Sequence, residues 1–302
     1  MSFAVVFTGQ GTQHPAMLPW LSEDDLVRDT CARLGIVDWR ERLADRGWAA
    51  ANANAQVLLT GLALAAWQQL SRSLPQPLCV AGYSVGELAS FCAAGVFDSR
   101  CALDLAEFRA RSMDRCGQQV PGGLLAVGGI SRDAIAKLCS ETGVALAIRN
   151  GADSVVLGGP EPLLSIAQRL ASQRGARVTR LCVDVASHTP WMRGAAEDFA
   201  GALARASLSR PGTILFSNVA GRVNDAAQAG AALVAQIAST VRWDDCMDDV
   251  HGRGPDCVLE VGPGQALARM WNQRFPDVPA RSCDDFRSAS ATTEWVLRLG
   301  AT

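Results

Sequence analysis

The segment Gly82-Tyr83-Ser84-Val85-Gly86 has the form G-x-S-x-G. An apolar run, Leu78-Cys79-Val80-Ala81, precedes it and reads as a buried strand; residues 85–94 read as a helix. A serine at a sharp strand-to-helix turn has its hydroxyl pushed clear of the backbone, so Ser84 is a candidate nucleophile. The helix N-terminus beyond it offers free N–H groups and a positive dipole end to a developing oxyanion. The competing reading makes Ser84 a helix N-cap, with Glu87 completing a capping box. Strand, serine, both glycines and helix are all in place, which favours the nucleophile. Such a serine needs a base, and three histidines are present. His188 follows a strand and precedes Pro190 and Trp191, downstream of the serine, so it is the first choice. A buried structural histidine is the alternative there. His14, after a glycine turn, comes second; His251 closes the polar helix end Asp248-Asp249-Val250-His251-Gly252 and reads as solvated. Asp153 and Asp184 lie between serine and histidine and could orient the base, as the acid does in an esterase.

Arg109 is the third informative residue. It shares a helical face with Ala102, Leu105, Ala106 and Met113, and no carboxylate stands three or four positions away. Arg111 has Glu107 and Asp114 at those spacings and reads as a solvated ion-pair residue. An arginine on an apolar face needs an anion to meet it. A ligand and a carboxylate from elsewhere in the chain fit that need equally.

These residues are set by alternating strands and helices. Residues 3–7 form a strand ending in Thr8-Gly9-Gln10-Gly11-Thr12-Gln13; neither a P-loop nor a dinucleotide fingerprint is present. Helices are expected over 22–50, 57–71 and from 98 or 99 to about 116. Pro121-Gly122-Gly123 marks a boundary. The next residues run strand 124–128, helix 132–142, strand 144–148, strand 154–157, helix 161–174 and strand 177–183, a βαββαβ order of the ferredoxin-like kind. Strand 213–216, helix 229–239, strand 257–261, helix 265–271, strand 278–283 and a helix from 289 follow. The expected fold is α/β: a large, largely parallel domain built from 1–120 and 186–302, with a small ferredoxin-like domain at 121–185 inserted.

The 302 residues are about half apolar, enough for a sizeable core, and the net charge of −2 argues against a nucleic-acid partner. Ten cysteines form no C-x-x-C pair and scatter through apolar segments, which fits a reduced, cytoplasmic protein better than a disulfide scaffold or a metal site. The N-terminus has no basic n-region and reads as a first strand. The apolar run 57–70 is too short to span a bilayer.

Taken in order, Gly9-Gln10-Gly11, Gly82-Tyr83-Ser84-Val85-Gly86-Glu87, Arg109 to Met113, Asn150 with Ser154 to Gly158, Ser187-His188 and Glu260-Val261-Gly262-Pro263-Gly264 resemble the malonyl-CoA:acyl-carrier-protein transacylase family over nearly the whole chain. The resemblance implies a large hydrolase-like domain, Ser84 as the acylated nucleophile and His188 as its base. It implies an oxyanion hole from the backbone N–H groups of Gln10 and Val85, and Arg109 as the grip on the malonyl carboxylate. The histidine would be oriented by a backbone carbonyl, at Gln236, in place of an acid. The acceptor would be the phosphopantetheine-type thiol of an acyl carrier protein, with no metal and no redox cofactor. The family commonly has histidine before the nucleophile, where this chain has Tyr83. Gly82-Tyr83-Ser84-Val85-Gly86-Glu87 with Ser187-His188-Thr189-Pro190 looks most like the acyltransferase subunit of malonate decarboxylase, whose partners are the other subunits of that complex. A stand-alone transacylase of fatty-acid or polyketide synthesis is the alternative reading, and a serine esterase a further one.

Overall fold

The computed structural model describes residues 2–299. Eleven strands form two sheets among the described residues. The first sheet contains β1 (Phe3–Phe7), β2 (Cys79–Gly82), β7 (Ile214–Ser217), β8 (Gly221–Val223), β10 (Cys257–Val261) and β11 (Ala280–Ser282), in the order β11-β10-β1-β2-β7-β8. All neighbours are parallel except the β7–β8 hairpin at one edge. Every residue of β1, β2 and β10 is buried, as strands covered on both faces must be, and their unbroken apolar runs show it.

Parallel pairing places the C-terminal ends of β1, β2, β7 and β10 along one edge. Four loops therefore meet there: Thr8 onward, Tyr83-Ser84, Asn218 and Gly262-Pro263-Gly264. The last of these lies hard against the first. A Cβ on Gly262 would come 1.9 Å from Thr8 Oγ1, and Thr12 Oγ1 donates to the Pro263 carbonyl at 2.8 Å. Glu260, at the end of β10, turns back to accept the amides of Leu267 and Ala268 and so caps the helix Ala266–Arg274.

The second sheet contains β3 (Gly122–Gly128), β4 (Ala145–Arg149), β5 (Ser154–Pro160), β6 (Arg177–Arg180) and β9 (Val241–Arg242), in the order β6-β3-β5-β4-β9. The first four run in a β-helix-β-β-helix-β sequence with antiparallel pairing. The helices Arg132–Thr142 and Glu161–Gln173 share an apolar cluster with Leu125, Val127, Val155 and Leu157. The alternate residues Leu124 and Val156 join the main core instead, so the two faces of this sheet serve two cores. Strand β9 comes from residues beyond 185 and adds to β4 in parallel.

Several boundaries differ from expectation. The expected helix over 22–50 is three short helices, Asp25–Arg33, Trp39–Arg42 and Arg46–Ala50. Asp24, Asp38 and Asp45 each cap one of them with a side-chain oxygen. The strand expected over 177–183 stops at Arg180; Leu181 makes one more bond, to the Leu124 carbonyl, and residues 181–183 line the cleft between the sheets. Among the described residues the ten cysteines are free, and no helix is long and apolar enough to cross a membrane.

Candidate active site

Ser84 sits between β2 and the helix Gly86–Ala93 with φ +55°, a left-handed conformation that a side chain adopts only when its surroundings force it. The flanking glycines are required by contact. A Cβ on Gly82 would lie 2.1 Å from the Gly86 carbonyl oxygen, and one on Gly86 would lie 2.4 Å from that of Phe7. Ser84 does not cap the helix, and Glu87 does not fold back on it. Glu87 is fully buried, and its two oxygens accept from the Asn218 amide and from Gln236 Nε2. The capping-box reading of this pair is therefore corrected: the acid serves a different set of donors.

Ser84 Oγ is 2.7 Å from His188 Nε2. His188 Nδ1 donates to the backbone carbonyl of Gln236 at 2.7 Å, and the His188 amide donates to that of Ile237 at 2.9 Å. Both carbonyls belong to the last turn of the helix Ala226–Ala238, where they have no intrahelical donor. A carbonyl can only accept, so Nδ1 carries the proton and Nε2 is free to take one from the serine. Asp153 and Asp184 are exposed, and neither bonds to the ring. His14 pairs with Asp284 at 2.9 Å, away from the serine. His251, expected in solvent, is partly exposed and also stacks on Phe275 with ring centroids 4.0 Å apart.

Burial, and then the nearby Arg109 charge, push the His188 ring down to about 3 from an ordinary 6.5, against the pull of the Gln236 carbonyl. A base with a lowered pKa stays neutral as the pH falls. Acylation of Ser84 by an uncharged acyl thioester should therefore hold its rate from about pH 7 to about pH 5.5, where an ordinary histidine would lose about eightfold. Stopped-flow acylation rates across that range check it; an acid limb centred on 6.5 would assign the base an exposed environment.

Among the described residues, the amides of Gln10 and Val85 donate to no protein acceptor. Ser84's own amide is taken by Asn218 Oδ1 at 3.0 Å. Both amides are thus unclaimed on the loops that flank the nucleophile, and donors of this kind are what a tetrahedral oxyanion needs. Gln10 is fixed by its loop: Gln13 Nε2 donates to the Ala49 carbonyl, and Gln13 Oε1 accepts the Gly11 amide.

Arg109 lies on the helix Ser99–Gln119 and is 3% exposed. Its guanidinium donates to Gln56 Oε1 at 2.6 Å and to Gln236 Oε1 at 2.9 Å, both neutral acceptors. Among the described residues no carboxylate pairs with it. Burial lowers its pKa to about 10, opposed by the Glu87 charge, so it remains a cation at neutral pH. Arg111 pairs with Glu107 at 3.1 Å, as its spacing implied, but Asp114 instead accepts from Asn52. Arg111→Ala should leave activity and acyl preference unchanged, since exposed pairs of this kind contribute on the order of 0.5 kcal/mol. An equal loss in Arg109→Ala and Arg111→Ala would contradict the distinction drawn here.

Residues 4–289 match the family model described as an acyl transferase domain. The chain belongs to the acyl transferase family. This acyltransferase is similar to the malonyl CoA-acyl carrier protein transacylase of Mycobacterium tuberculosis, 32% identical over 92% of this chain and 95% of the relative. It is similar also to that of Haemophilus influenzae, 29% identical over 98% and 99%. Among solved structures, FabD of Acinetobacter baumannii superposes with a TM-score of 0.88 at 30% identity, covering 98% of each chain. A malonyl-transacylase solved in complex with a type II polyketide acyl-carrier protein superposes at 0.89 with 26% identity, covering 97% of this chain and 99% of that one.

In this acyltransferase a cleft of about 410 Å³ lies between the two sheets, beside Tyr83, the residue before the nucleophile. Gln10, Tyr83 and Asn150 line it with Ala126, Val156 and Met270. Tyr83, in the position next to the nucleophile, donates its hydroxyl to Asn150 Oδ1 at 3.1 Å and sets its ring edge-on to Trp243. Three residues of the site escape a sequence reading: Gln56, Asn218 and the side chain of Gln236. Gln56 carries a signal, as the last of the amides Asn52, Asn54 and Gln56 before the helix turns apolar at Val57. Asn218 carries one too, at the end of a parallel strand neighbouring the nucleophile's.

Proposed function

We propose that the protein moves a malonyl group from malonyl-CoA to the phosphopantetheine-type thiol of an acyl carrier protein through a malonyl ester of Ser84. The observation that carries this reading is Arg109, a buried cation near the nucleophile whose partners are two neutral amide oxygens. A carboxylate on the acyl group supplies the missing anion, held by both nitrogens of the guanidinium fork. An acetyl group leaves that charge desolvated and unpaired.

In the first half-reaction His188 Nε2 takes the Ser84 proton as Oγ attacks the thioester carbonyl. The oxyanion rests on the amides of Gln10 and Val85. Collapse expels the CoA thiolate, which recovers the proton from Nε2. The carrier thiol then enters by the same cleft and reverses each step. A malonyl carboxylate on Arg109 also cancels the charge that weakens His188, so the base strengthens when the matching acyl group is bound. His188 is oriented by a carbonyl, and among the described residues no acid bonds to its ring, which favours this reading over an esterase.

The relatives, named as malonyl-CoA transacylases, and the carrier complex support a transacylase of fatty-acid or polyketide type better than a malonate decarboxylase subunit. That finer reading rests on the Gly82-Tyr83-Ser84-Val85-Gly86-Glu87 and Ser187-His188-Thr189-Pro190 segments. Competition between the holo carriers of the two systems for malonyl-enzyme separates them. We read the architecture as a hydrolase-like sheet from 1–120 and 186–302 carrying a ferredoxin-like unit at 121–185, a reading supported by the strand order β6-β3-β5-β4.

The test is acyl preference. Truncating one partner of a buried charge pair costs about 2–5 kcal/mol, so Arg109→Ala should lose malonyl transfer by several tens-fold to a few thousand-fold. Acetyl transfer should hold or rise. The measurement is kcat/KM for malonyl-CoA and acetyl-CoA in both proteins; equal losses would make Arg109 structural and remove the main support for malonyl.

A further inference from the structure

Glu87 is fully buried, is absent from the lining of the cleft, and has no part in the steps above. Its surroundings are specific. Oε1 accepts the backbone amide of Asn218, and Oε2 accepts Gln236 Nε2 at 2.8 Å. Gln236 Nε2 also donates to the Ser84 carbonyl at 2.7 Å, while Gln236 Oε1 accepts from Arg109. Asn218, in turn, bonds both Ser84 N and the Gly82 carbonyl. One carboxylate thus reaches the nucleophile's turn through Asn218 and the arginine through Gln236.

We propose that Glu87 is a positioning residue for acyl selection: by accepting from Gln236 it fixes which end of that amide faces Arg109, and so keeps the guanidinium aimed and uncaptured for the acyl carboxylate. An amide has two faces of opposite character, and nothing in its shape selects one. Here the selection is made by neighbours. Burial raises the Glu87 carboxyl to about 7, but both of its oxygens are met by donors, and in the ionised form they accept only, so Gln236 turns its NH2 toward Glu87 and toward the Ser84 carbonyl. Its oxygen then faces Arg109. The amide also stands between Glu87 and Arg109, so the two charges act on each other without closing an ion pair that would occupy the fork.

A glutamine side chain in place of Glu87 has the same shape but one acceptor oxygen for three donors, the Asn218 amide, Gln236 Nε2 and the Ser217 hydroxyl. The Asn218 amide is backbone and cannot turn. The Ser217 hydroxyl, which also bonds Glu87, can turn and adapt. The substituted amide would therefore give its oxygen to Asn218 and its NH2 to Gln236, and Gln236 would have to flip. A flipped Gln236 points NH2 at the guanidinium and oxygen at the Ser84 carbonyl, repelling both.

This inference rests on the malonyl reading, and the experiment separates the two. The kcat and KM for malonyl-CoA and acetyl-CoA are measured, with Tm, in the full-length wild type, in Glu87→Gln and in Glu87→Gln/Gln236→Glu. In Glu87→Gln the malonyl-to-acetyl preference should fall roughly tenfold to a hundredfold, the usual consequence of losing one hydrogen bond to a charged group, with most of the loss in the malonyl KM. The double variant restores a donor–acceptor match between 87 and 236, so Tm should recover toward wild type. It also sets a carboxylate against Arg109, so malonyl preference should stay lost. If Glu87→Gln does not fold, Glu87→Asp takes its place: it keeps the charge but draws the acceptor away from Gln236, and the same loss of malonyl preference is expected. A wild type without malonyl preference overturns the malonyl reading and this inference with it. A wild type that prefers malonyl, with variants that keep the ratio or lose both substrates equally, overturns this inference alone.

Discussion

Replacing Ser84 with alanine is expected to lower acyl transfer by at least about four orders of magnitude, the scale seen when a nucleophile that works as a unit with its base is removed. The effect should be large because no other group can take the position. Ser84 is held at φ +55° by a turn whose glycines leave no room for a Cβ, and its amide and carbonyl are both tied down, to Asn218 and Gln236. A water in the space left by Oγ could at most hydrolyse the thioester, which transfers nothing to a carrier. The fold should survive, since alanine keeps the backbone and deletes one partly exposed hydroxyl. Transfer to a holo carrier and circular dichroism on the same sample separate lost chemistry from lost structure.

Replacing His188 with alanine should slow acylation by roughly two to four orders of magnitude, the usual contribution of a general base. The loss should be smaller than for the serine, because in the proposed mechanism the amides of Gln10 and Val85 would still hold the oxyanion. It should also change character with pH. The variant's residual rate should rise with pH as hydroxide replaces the base, where the wild type is flat over the acid range. His251→Ala, whose ring stacks on Phe275 far along the chain from the elbow, should change acylation little. Rapid-quench measurement of the acyl-enzyme in the two histidine variants gives the ranking; a larger loss at His251 would mean the base is misassigned.

Ser84 is legible in the sequence because three local requirements coincide in five residues, and His188 because only three histidines compete. Arg109 is legible through an omission, the absence of a carboxylate at helical spacing. What holds them is harder to see. Glu87 reads as half of a capping box, since the sequence shows its distance from Ser84 and not the Asn218 and Gln236 donors that arrive from 131 and 149 residues away. The backbone role of Gln236 comes by resemblance; its side chain, which meets Arg109, Glu87 and the Ser84 carbonyl, has no local signature. Strand β9 is two residues long and exists only because β4 offers an edge, so no pattern of its own could announce it. The three caps Asp24, Asp38 and Asp45 are present in the sequence as stop-and-start signals inside what reads as continuous helix.

The central claim is that malonyl passes through Ser84 on its way to a carrier thiol. Intact-protein mass spectrometry tests it in two steps: the protein is incubated with malonyl-CoA alone, and holo acyl carrier protein is then added. The account predicts a gain of one malonyl group, located on Ser84 by peptide mapping and absent in Ser84→Ala, which leaves the enzyme and appears on the carrier in the second step. An adduct that forms in Ser84→Ala, on the exposed cleft cysteine Cys182 for instance, or one on Ser84 that water removes and the carrier does not, would contradict it.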